Sequence, residues 1–201
     1  MNNVLRSFAQ LALCGAILGT EASAGTLALD FAIPTTNFTN DFYSLGWSFN
    51  VKQAVTVTHL GFYDSLKDDL TEIHDIGIYD PSGTLVVAGT VAPGAPLISW
   101  FRVIPVAPTV LLPGYDYRIA VTTGLEQYTW DPYGLVVDPR IQFTGDRYIV
   151  SGTLAYPTES TGLSGFFGPT FMIDGGVIPE PSTYLMLGSA IVALAMLRLR
   201  K

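Results

Sequence analysis

Hydrophobic periodicity is the feature that most constrains the fold of this chain. Between residues 25 and 173, apolar residues do not recur at the helical spacing of 3.6 over any long stretch. They alternate with polar residues in short runs, and turn-forming residues recur about every ten residues. Successive side chains of a strand point to opposite faces, so this pattern predicts short strands with one buried face. We therefore expect an all-β domain.

One turn can be placed from sequence alone. Residues 76–79 and 84–87 are apolar runs that flank Asp80-Pro81-Ser82-Gly83. Proline at the second position and glycine at the fourth position are typical of a β-turn. We expect a β-hairpin centred on this turn.

A second turn indicates how the strands are arranged. Pro113-Gly114 leads into Tyr115 and Tyr117, which alternate with polar or small residues as far as Val121. This order is typical of a tyrosine corner, in which a tyrosine near a strand start hydrogen-bonds to upstream backbone in Greek-key sandwiches. We predict that role for Tyr117, with an ordinary half-buried strand position as the alternative. The corner favours a single antiparallel β-sandwich, jelly-roll or Ig/FnIII-like, over a barrel.

The N-terminal segment has the pattern of a secretory signal. Arg6 precedes an apolar stretch over residues 8–19, and Ala22-Ser23-Ala24 gives the small-x-small pattern that signal peptidase recognises. We expect a cleaved signal helix over residues 1–24 and an exported chain that begins near Gly25. The one cysteine, Cys14, lies inside this segment, so the mature domain has no disulfide.

The charge of the mature domain limits its partners. Residues 25–178 hold 6 basic and 15 acidic side chains, a net charge of −9. An acidic surface without a cluster of Lys or Arg argues against nucleic acid and anionic lipid as partners. A segment of about 150 residues is long enough for one domain with its own core.

Three features follow one another at the C-terminus: Pro179-Glu180-Pro181, an uncharged run over residues 182–197, and the basic residues Arg198, Arg200 and Lys201. The prolines favour extended backbone. A helix of the 16 uncharged residues would be about 24 Å long, which is marginal for a hydrocarbon core of about 30 Å. The basic end would stay in the cytoplasm, with the rest of the chain outside. We predict a short membrane helix here.

This order of parts over residues 177–201 resembles the PEP-CTERM tail of exported bacterial proteins, with Ile178 as one extra residue before the first proline. The resemblance implies recognition by an exosortase, a membrane-embedded transpeptidase-like enzyme that removes the helix. The protein would then be released or re-attached at the surface of a Gram-negative bacterium, in the setting of exopolysaccharide and biofilm. A permanent membrane anchor is the alternative.

The segments Leu60-Gly61-Phe62-Tyr63-Asp64, Gly83-Thr84-Leu85 and Phe167-Gly168-Pro169-Thr170-Phe171 also resemble a β-sandwich domain found ahead of such tails. This resemblance implies fold and context, without an activity. Asp68-Asp69-Leu70 stands where that family usually has a glycine. We expect a signal peptide over residues 1–24, a β-sandwich over 25–174 and a sorting tail over 175–201.

The densest polar cluster contains Asp64, Asp68, Asp69 and Glu72. Carboxylate oxygens are the ligands that Ca²⁺ prefers, so the cluster is a candidate calcium site. Its spacing does not fit an EF-hand, because no glycine falls at the sharp-turn position. A solvated acidic loop is the alternative.

A second cluster is aromatic. Tyr128, Trp130 and Tyr133 surround Asp131-Pro132 in a segment that reads as a loop. Exposed rings on a rigid scaffold could stack on sugars, with Asp131 accepting hydrogen bonds from hydroxyl groups. Core packing of the rings is the alternative.

Motifs of catalysis are absent from the sequence. Gly162-Leu163-Ser164-Gly165 has the wrong spacing for a nucleophile elbow, and no phosphate-binding loop is present. Paired carboxylates leave no spacing signature, so an extracellular glycan hydrolase stays open. We expect a non-enzymatic exported protein of the cell envelope, cell surface or medium, with signal peptidase and exosortase as processing enzymes. A carbohydrate- or calcium-binding module is the alternative function.

Overall fold

The computed structural model describes residues 25–40, 42–162 and 164–174. The predicted signal helix with Ala22 and Ala24 lies outside this range. The same holds for the predicted sorting tail, with Pro179, Glu180, Pro181, Arg198, Arg200 and Lys201, and for its membrane helix. Within the described range, no helix is long and apolar enough to cross a membrane.

Every regular element of the described residues is a β-strand, so the all-β prediction is confirmed. The strands are β1 (Thr26–Leu27), β2 (Leu29–Asp30), β3 (Thr36–Phe38), β4 (Tyr43–Val51), β5 (Val55–Tyr63), β6 (His74–Tyr79), β7 (Leu85–Val91), β8 (Leu97–Ile98), β9 (Phe101–Leu111), β10 (Gly114–Thr122), β11 (Tyr128–Trp130), β12 (Val136–Val137), β13 (Ile141–Val150) and β14 (Pro169–Ile173).

The strands form two five-stranded antiparallel sheets. One has the order β1-β14-β5-β9-β8, and the other has the order β13-β4-β10-β6-β7. The short pairs β11-β3 and β12-β2 complete the pairing. Consecutive strands often belong to different sheets, such as β4 and β5 or β9 and β10, so the chain crosses repeatedly between the sheets. This arrangement is consistent with a β-sandwich.

The core forms where the inner faces of the two sheets meet. Trp47 and Phe49 of β4 contact Phe171 of β14, with ring centroids 5.8 Å and 5.1 Å from that ring. The indole Nε1 of Trp47 also donates a hydrogen bond to the carbonyl of Pro169 at 2.8 Å. Both inner faces carry large apolar side chains at alternate positions, which is why the predicted period of two leads to a shared core.

The hairpin turn between β6 and β7 is confirmed. The amide of Gly83 donates to the carbonyl of Asp80 at 2.9 Å, and Gly83 has φ of +83°. The carboxylate of Asp80 accepts hydrogen bonds from the hydroxyl of Ser82 and the amide of Thr84, and these bonds lower the pKa of Asp80. Both the carboxylate and the backbone carbonyl of Asp80 therefore hold this turn together by hydrogen bonds.

The tyrosine corner is confirmed as well. The hydroxyl of Tyr117 donates to the carbonyl of Leu112 at 3.0 Å. Tyr115 departs from the expected alternation, because its side chain is 79% exposed. The pairing of β10 with β4 shifts register between Gly114 and Tyr117, and Asp116 has φ of +60°. This bulge places Tyr115 outside the period of two.

The two ends of the described domain lie side by side. Thr26 of β1 pairs with Ile173 of β14, and the amide of Asp174 donates to the carbonyl of Thr56. Arg140 makes two hydrogen bonds to the carboxylate of Asp138, at 2.9 Å and 2.8 Å, and a third to the carbonyl of Asp174 at 2.8 Å. Arg140 thereby ties Asp174, the last described residue, to the segment that precedes β13.

Candidate functional site

An aromatic groove lies at the end of the domain where β4 begins. It consists of two adjoining depressions that share Asn40, Tyr128 and Phe166. One depression, of about 340 Å³, is also lined by Phe38 and Trp130. The other, of about 230 Å³, is also lined by Tyr43, Leu45, Tyr148 and Thr161. We call the whole feature the aromatic groove.

Strand pairing positions the rings of the first depression. β3 and β11 pair so that Phe38 lies directly opposite Tyr128, and the two rings stack with centroids 6.0 Å apart. Tyr128 and Trp130 are two residues apart on β11, so their side chains point to the same face. Thr129 points to the other face and is buried, with its hydroxyl bonded to the carbonyl of Thr36.

Phe166 lies at the centre of the groove. Its ring centroid is 5.2 Å from that of Trp130, 5.6 Å from that of Tyr128 and 5.9 Å from that of Tyr148. The backbone of the next residue, Phe167, pairs with Thr129 in both directions. That pairing holds Phe166 beside β11, although the two segments are far apart in sequence.

Neutral polar groups accompany the rings. The amide nitrogen of Asn40 donates to the hydroxyl of Tyr128 at 2.6 Å. Burial raises the pKa of Tyr128, so its hydroxyl stays protonated at neutral pH. None of the described residues that line the groove is acidic or basic. The groove can therefore pack against an apolar ligand face and hydrogen-bond to neutral groups.

The structure brings together part of the predicted aromatic cluster. Tyr128 and Trp130 line the groove, and both lie on strand β11 rather than in the expected loop. Tyr133 is 71% exposed and does not line the groove; its backbone pairs with that of Ile33. Asp131 is exposed and does not line it either.

In the first depression, the lining residues Phe38, Asn40 and Phe166 were not predicted from the sequence, and neither were the residues that line only the second depression. They come from segments that precede or follow β11 by tens of residues. Only the pairing of β3 with β11, and of Phe167 with Thr129, reveals that Phe38, Asn40 and Phe166 meet.

Most carboxylates of the predicted acidic cluster accept hydrogen bonds from other groups of the protein. Asp64 is 2% exposed and accepts a hydrogen bond from Nε of Arg102 at 2.8 Å. Asp69 accepts the amides of Gly94 and Leu70, both at 2.9 Å, and these bonds lower the pKa of Asp69. Asp69 has φ of +86°, so this aspartate adopts the left-handed backbone conformation that favours glycine.

The remaining two carboxylates have different surroundings. Glu72 accepts the amides of Leu125 and Glu126, and Glu126 in turn accepts the amide of Thr71 at 2.6 Å. Asp68 is exposed at the rim of a shallow depression. In the described part of the chain, no group of three or more His, Cys, Asp or Glu side chains is placed to hold a metal ion. The calcium site and the acidic loop without metal both stay untested interpretations of this cluster.

Comparison with known proteins gives two matches. Residues 32–168 match the family described as a domain of unknown function, DUF4082, and residues 177–201 match the PEP-CTERM protein-sorting motif. No curated protein matches the chain. The first match includes both sides of the aromatic groove, and the second includes Pro179, Glu180 and Pro181.

The sorting motif indicates an exported protein that is targeted to exosortase and delivered to the cell envelope or surface in Gram-negative bacteria. The DUF4082 match extends over more than half of the sequence. The chain therefore belongs to the DUF4082 family, and it carries a PEP-CTERM sorting motif behind that domain.

Proposed function

We propose that the mature protein is a non-enzymatic cell-surface or extracellular-matrix protein that binds exopolysaccharide through the aromatic groove. The observation that carries this proposal is the arrangement of Phe38, Tyr128, Trp130 and Phe166 around one groove, with uncharged hydrogen-bonding groups beside them. The sorting motif supplies the setting, since exosortase substrates leave the cytoplasm.

The chemistry of the groove suits a sugar. A pyranose ring has an apolar face of C–H groups, which packs well on an aromatic ring, and a rim of hydroxyl groups, which need hydrogen-bond partners. Trp130 and Phe166 are half-buried and already packed against each other, so little side-chain entropy is lost on binding. Asn40 is exposed and supplies a neutral donor and acceptor, and the hydroxyl of the buried Tyr128 holds its amide in place.

The processing route belongs to the same proposal. Signal peptidase would cut after Ala24, and exosortase would remove the C-terminal helix, so the membrane is a partner only before processing. Delivery to the surface would bring the groove into contact with exopolysaccharide and the biofilm matrix.

The non-enzymatic part of the proposal is supported by the lining of the groove. Hydrolysis of a glycosidic bond ordinarily uses two carboxyl groups that face each other across the bound sugar. The groove-lining residues that the structure describes supply no carboxyl group. Binding without hydrolysis is therefore the function that the groove supports best.

The test is retention of the processed protein, purified from its host, on the host's exopolysaccharide in affinity electrophoresis. Trp130→Ala should weaken binding about tenfold, the equivalent of about 1.4 kcal/mol. Tyr133→Ala is the matched control, because this exposed aromatic residue lies outside the groove, and it should bind like the wild type. Absence of wild-type retention, or equal retention of Trp130→Ala, would refute the proposal.

A further inference from the structure

We infer that the aromatic groove selects an uncharged polysaccharide and binds it along the chain, across two adjacent sugar subsites that Phe166 separates. This inference rests on the proposed function and adds the class of glycan and its mode of binding.

The two subsites correspond to the two depressions of the groove, which share the ring of Phe166 as lining. Its ring is nearly perpendicular to Tyr128, at 87°, and to Tyr148, at 89°. One depression lies on the side of Phe38 and Trp130, and the other lies on the side of Tyr43 and Tyr148. We call these the Trp130 subsite and the Tyr148 subsite.

Each subsite has its own ring surface. Trp130 is half-buried and Phe38 is exposed, and their two rings flank the Trp130 subsite. Tyr43 and Tyr148 are half-buried with centroids 6.0 Å apart, and they flank the second. Because both depressions share the exposed Asn40 and the half-buried Phe166, one bound chain could contact both subsites at once.

Both depressions are open clefts rather than enclosed cavities. A polysaccharide could therefore continue beyond each subsite, and no chain end is needed for binding. A closed pocket would instead favour a free sugar or a chain terminus.

Charge selects the class of glycan. A polysaccharide that carries carboxylate or sulfate groups needs Arg or Lys partners, and no described lining residue is either. The described arginines are already paired: Arg102 with Asp64, Arg118 and Arg147 with Asp116, and Arg140 with Asp138.

The electrostatic field of the whole domain also favours an uncharged ligand. The net charge of −9 over residues 25–178 repels a polyanion and leaves a neutral chain unaffected. An uncharged polysaccharide is therefore the ligand that the groove and the whole domain both accept.

The experiment divides the host's exopolysaccharide into neutral and acidic fractions by anion exchange, and then shortens each fraction to sized oligomers. Binding to the processed full-length protein is measured by calorimetry. We expect neutral oligomers to bind at least tenfold more tightly than acidic oligomers of equal length. The affinity for neutral oligomers should not change between about 0.1 M and about 1 M salt, because screening has no charge pair to weaken.

Oligomer length tests the two subsites. A neutral oligomer that fills both should bind about tenfold more tightly than a single unit, and Trp130→Ala should abolish this length advantage while the single unit still binds. Trp130→Phe keeps a ring in place and should retain part of the advantage, which separates loss of a subsite from loss of the fold. Tyr133→Ala should behave like the wild type.

The outcomes separate the two proposals. Tighter binding of the acidic fraction, or binding without any length advantage, would overturn this inference and leave exopolysaccharide binding intact. Binding of neither fraction would overturn both. Self-association that Trp130→Ala abolishes, without glycan binding, would show that a second copy occupies the groove.

Discussion

A single hydroxyl group ties the first half of β10 to the turn that precedes this strand. The Tyr117 ring stacks on Phe49 with centroids 5.7 Å apart, and its hydroxyl donates to the carbonyl of Leu112. Burial raises the pKa of Tyr117, so the hydroxyl stays a donor at any physiological pH. The corner therefore fixes where the chain turns from β9 into β10.

We predict that Tyr117→Phe lowers the free energy of unfolding by about 1 kcal/mol, the usual net value of one intramolecular hydrogen bond. Urea denaturation measures this change. Tyr115→Phe is the matched control, because that tyrosine is exposed two residues away, and it should stay within about 0.5 kcal/mol of the wild type. Equal stability of the two variants would contradict a structural role for the corner.

The ion pair of Asp138 with Arg140 makes stability depend on pH. Hydrogen bonds from Arg140 lower the pKa of Asp138 below its ordinary value of 3.8. The folded state therefore binds this proton less tightly than the unfolded state does. The pair stabilises the fold above pH 3.8, and this stabilisation is lost as the pH falls through the folded-state pKa.

We predict that Asp138→Asn lowers the free energy of unfolding by about 2 kcal/mol near pH 7, since charged hydrogen bonds are lost. The difference from the wild type should shrink below pH 3.8, where the wild-type carboxylate also becomes protonated. Urea denaturation over a pH series measures both effects. Asp131→Asn, at an exposed position, should change neither the free energy of unfolding nor its pH dependence. If the difference between Asp138→Asn and the wild type stays constant down to the lowest pH, the ion pair does not cause the pH dependence.

At the scale of elements, the β6–β7 hairpin depends on left-handed backbone at Gly83. We predict that Gly83→Ala costs about 1–2 kcal/mol, because a Cβ atom disfavours this conformation. Steric overlap is not the cause, because the added Cβ would lie 3.5 Å from the ring of Tyr156, an ordinary van der Waals contact. Thermal unfolding measures the loss.

Gly152→Ala serves as the control for Gly83→Ala. Its added Cβ would also meet a ring at 3.5 Å, but its backbone is not left-handed. We expect little change in the unfolding temperature. Similar losses at both glycines would contradict the conformational explanation.

The acidic loop gives a prediction about metal. Asp64, Asp69 and Glu72 are bonded to Arg102 or to backbone amides, so these carboxylates are already compensated within the protein. We predict that neither EDTA nor excess Ca²⁺ changes the unfolding temperature. A clear rise with Ca²⁺ would instead establish the calcium site, because a ligand that binds only the folded state stabilises it.

Local elements could be predicted from sequence because their signals are local. The Asp80–Gly83 turn and the Tyr117 corner each join residues three to five positions apart. The bulge near Tyr115 could not be predicted, because it depends on how β10 pairs with β4.

The candidate site was only partly predictable for the same reason. Tyr128 and Trp130 share one strand and were found together, whereas Phe38 and Phe166 reach them only through pairing between distant segments. The acidic cluster shows the reverse effect. Its members are close in sequence, but Asp64 and Asp69 lie beside Arg102, whereas Glu72 accepts the amide of Leu125.

For the whole molecule, the sorting motif predicts the mature C-terminus. We expect protein from the native host to lack the segment after Pro179-Glu180-Pro181, as measured by mass spectrometry of the intact chain. Replacing the triplet by alanines should leave the C-terminus uncut, whereas Ser182→Ala, just outside it, should not. An intact Lys201 in the wild-type protein would contradict processing.

The chain enters and leaves the domain beside β1 and the end of β14, and the aromatic groove lies at the opposite end. Gly168, which precedes β14, is next to Tyr128, whereas Asp174 is bonded to Thr56 and Arg140. The nine residues of β5 run between these two ends, a length of about 30 Å. A protein tethered through its C-terminal tail would thus carry the proposed sugar-binding groove at the end of β5 that is farther from its point of attachment.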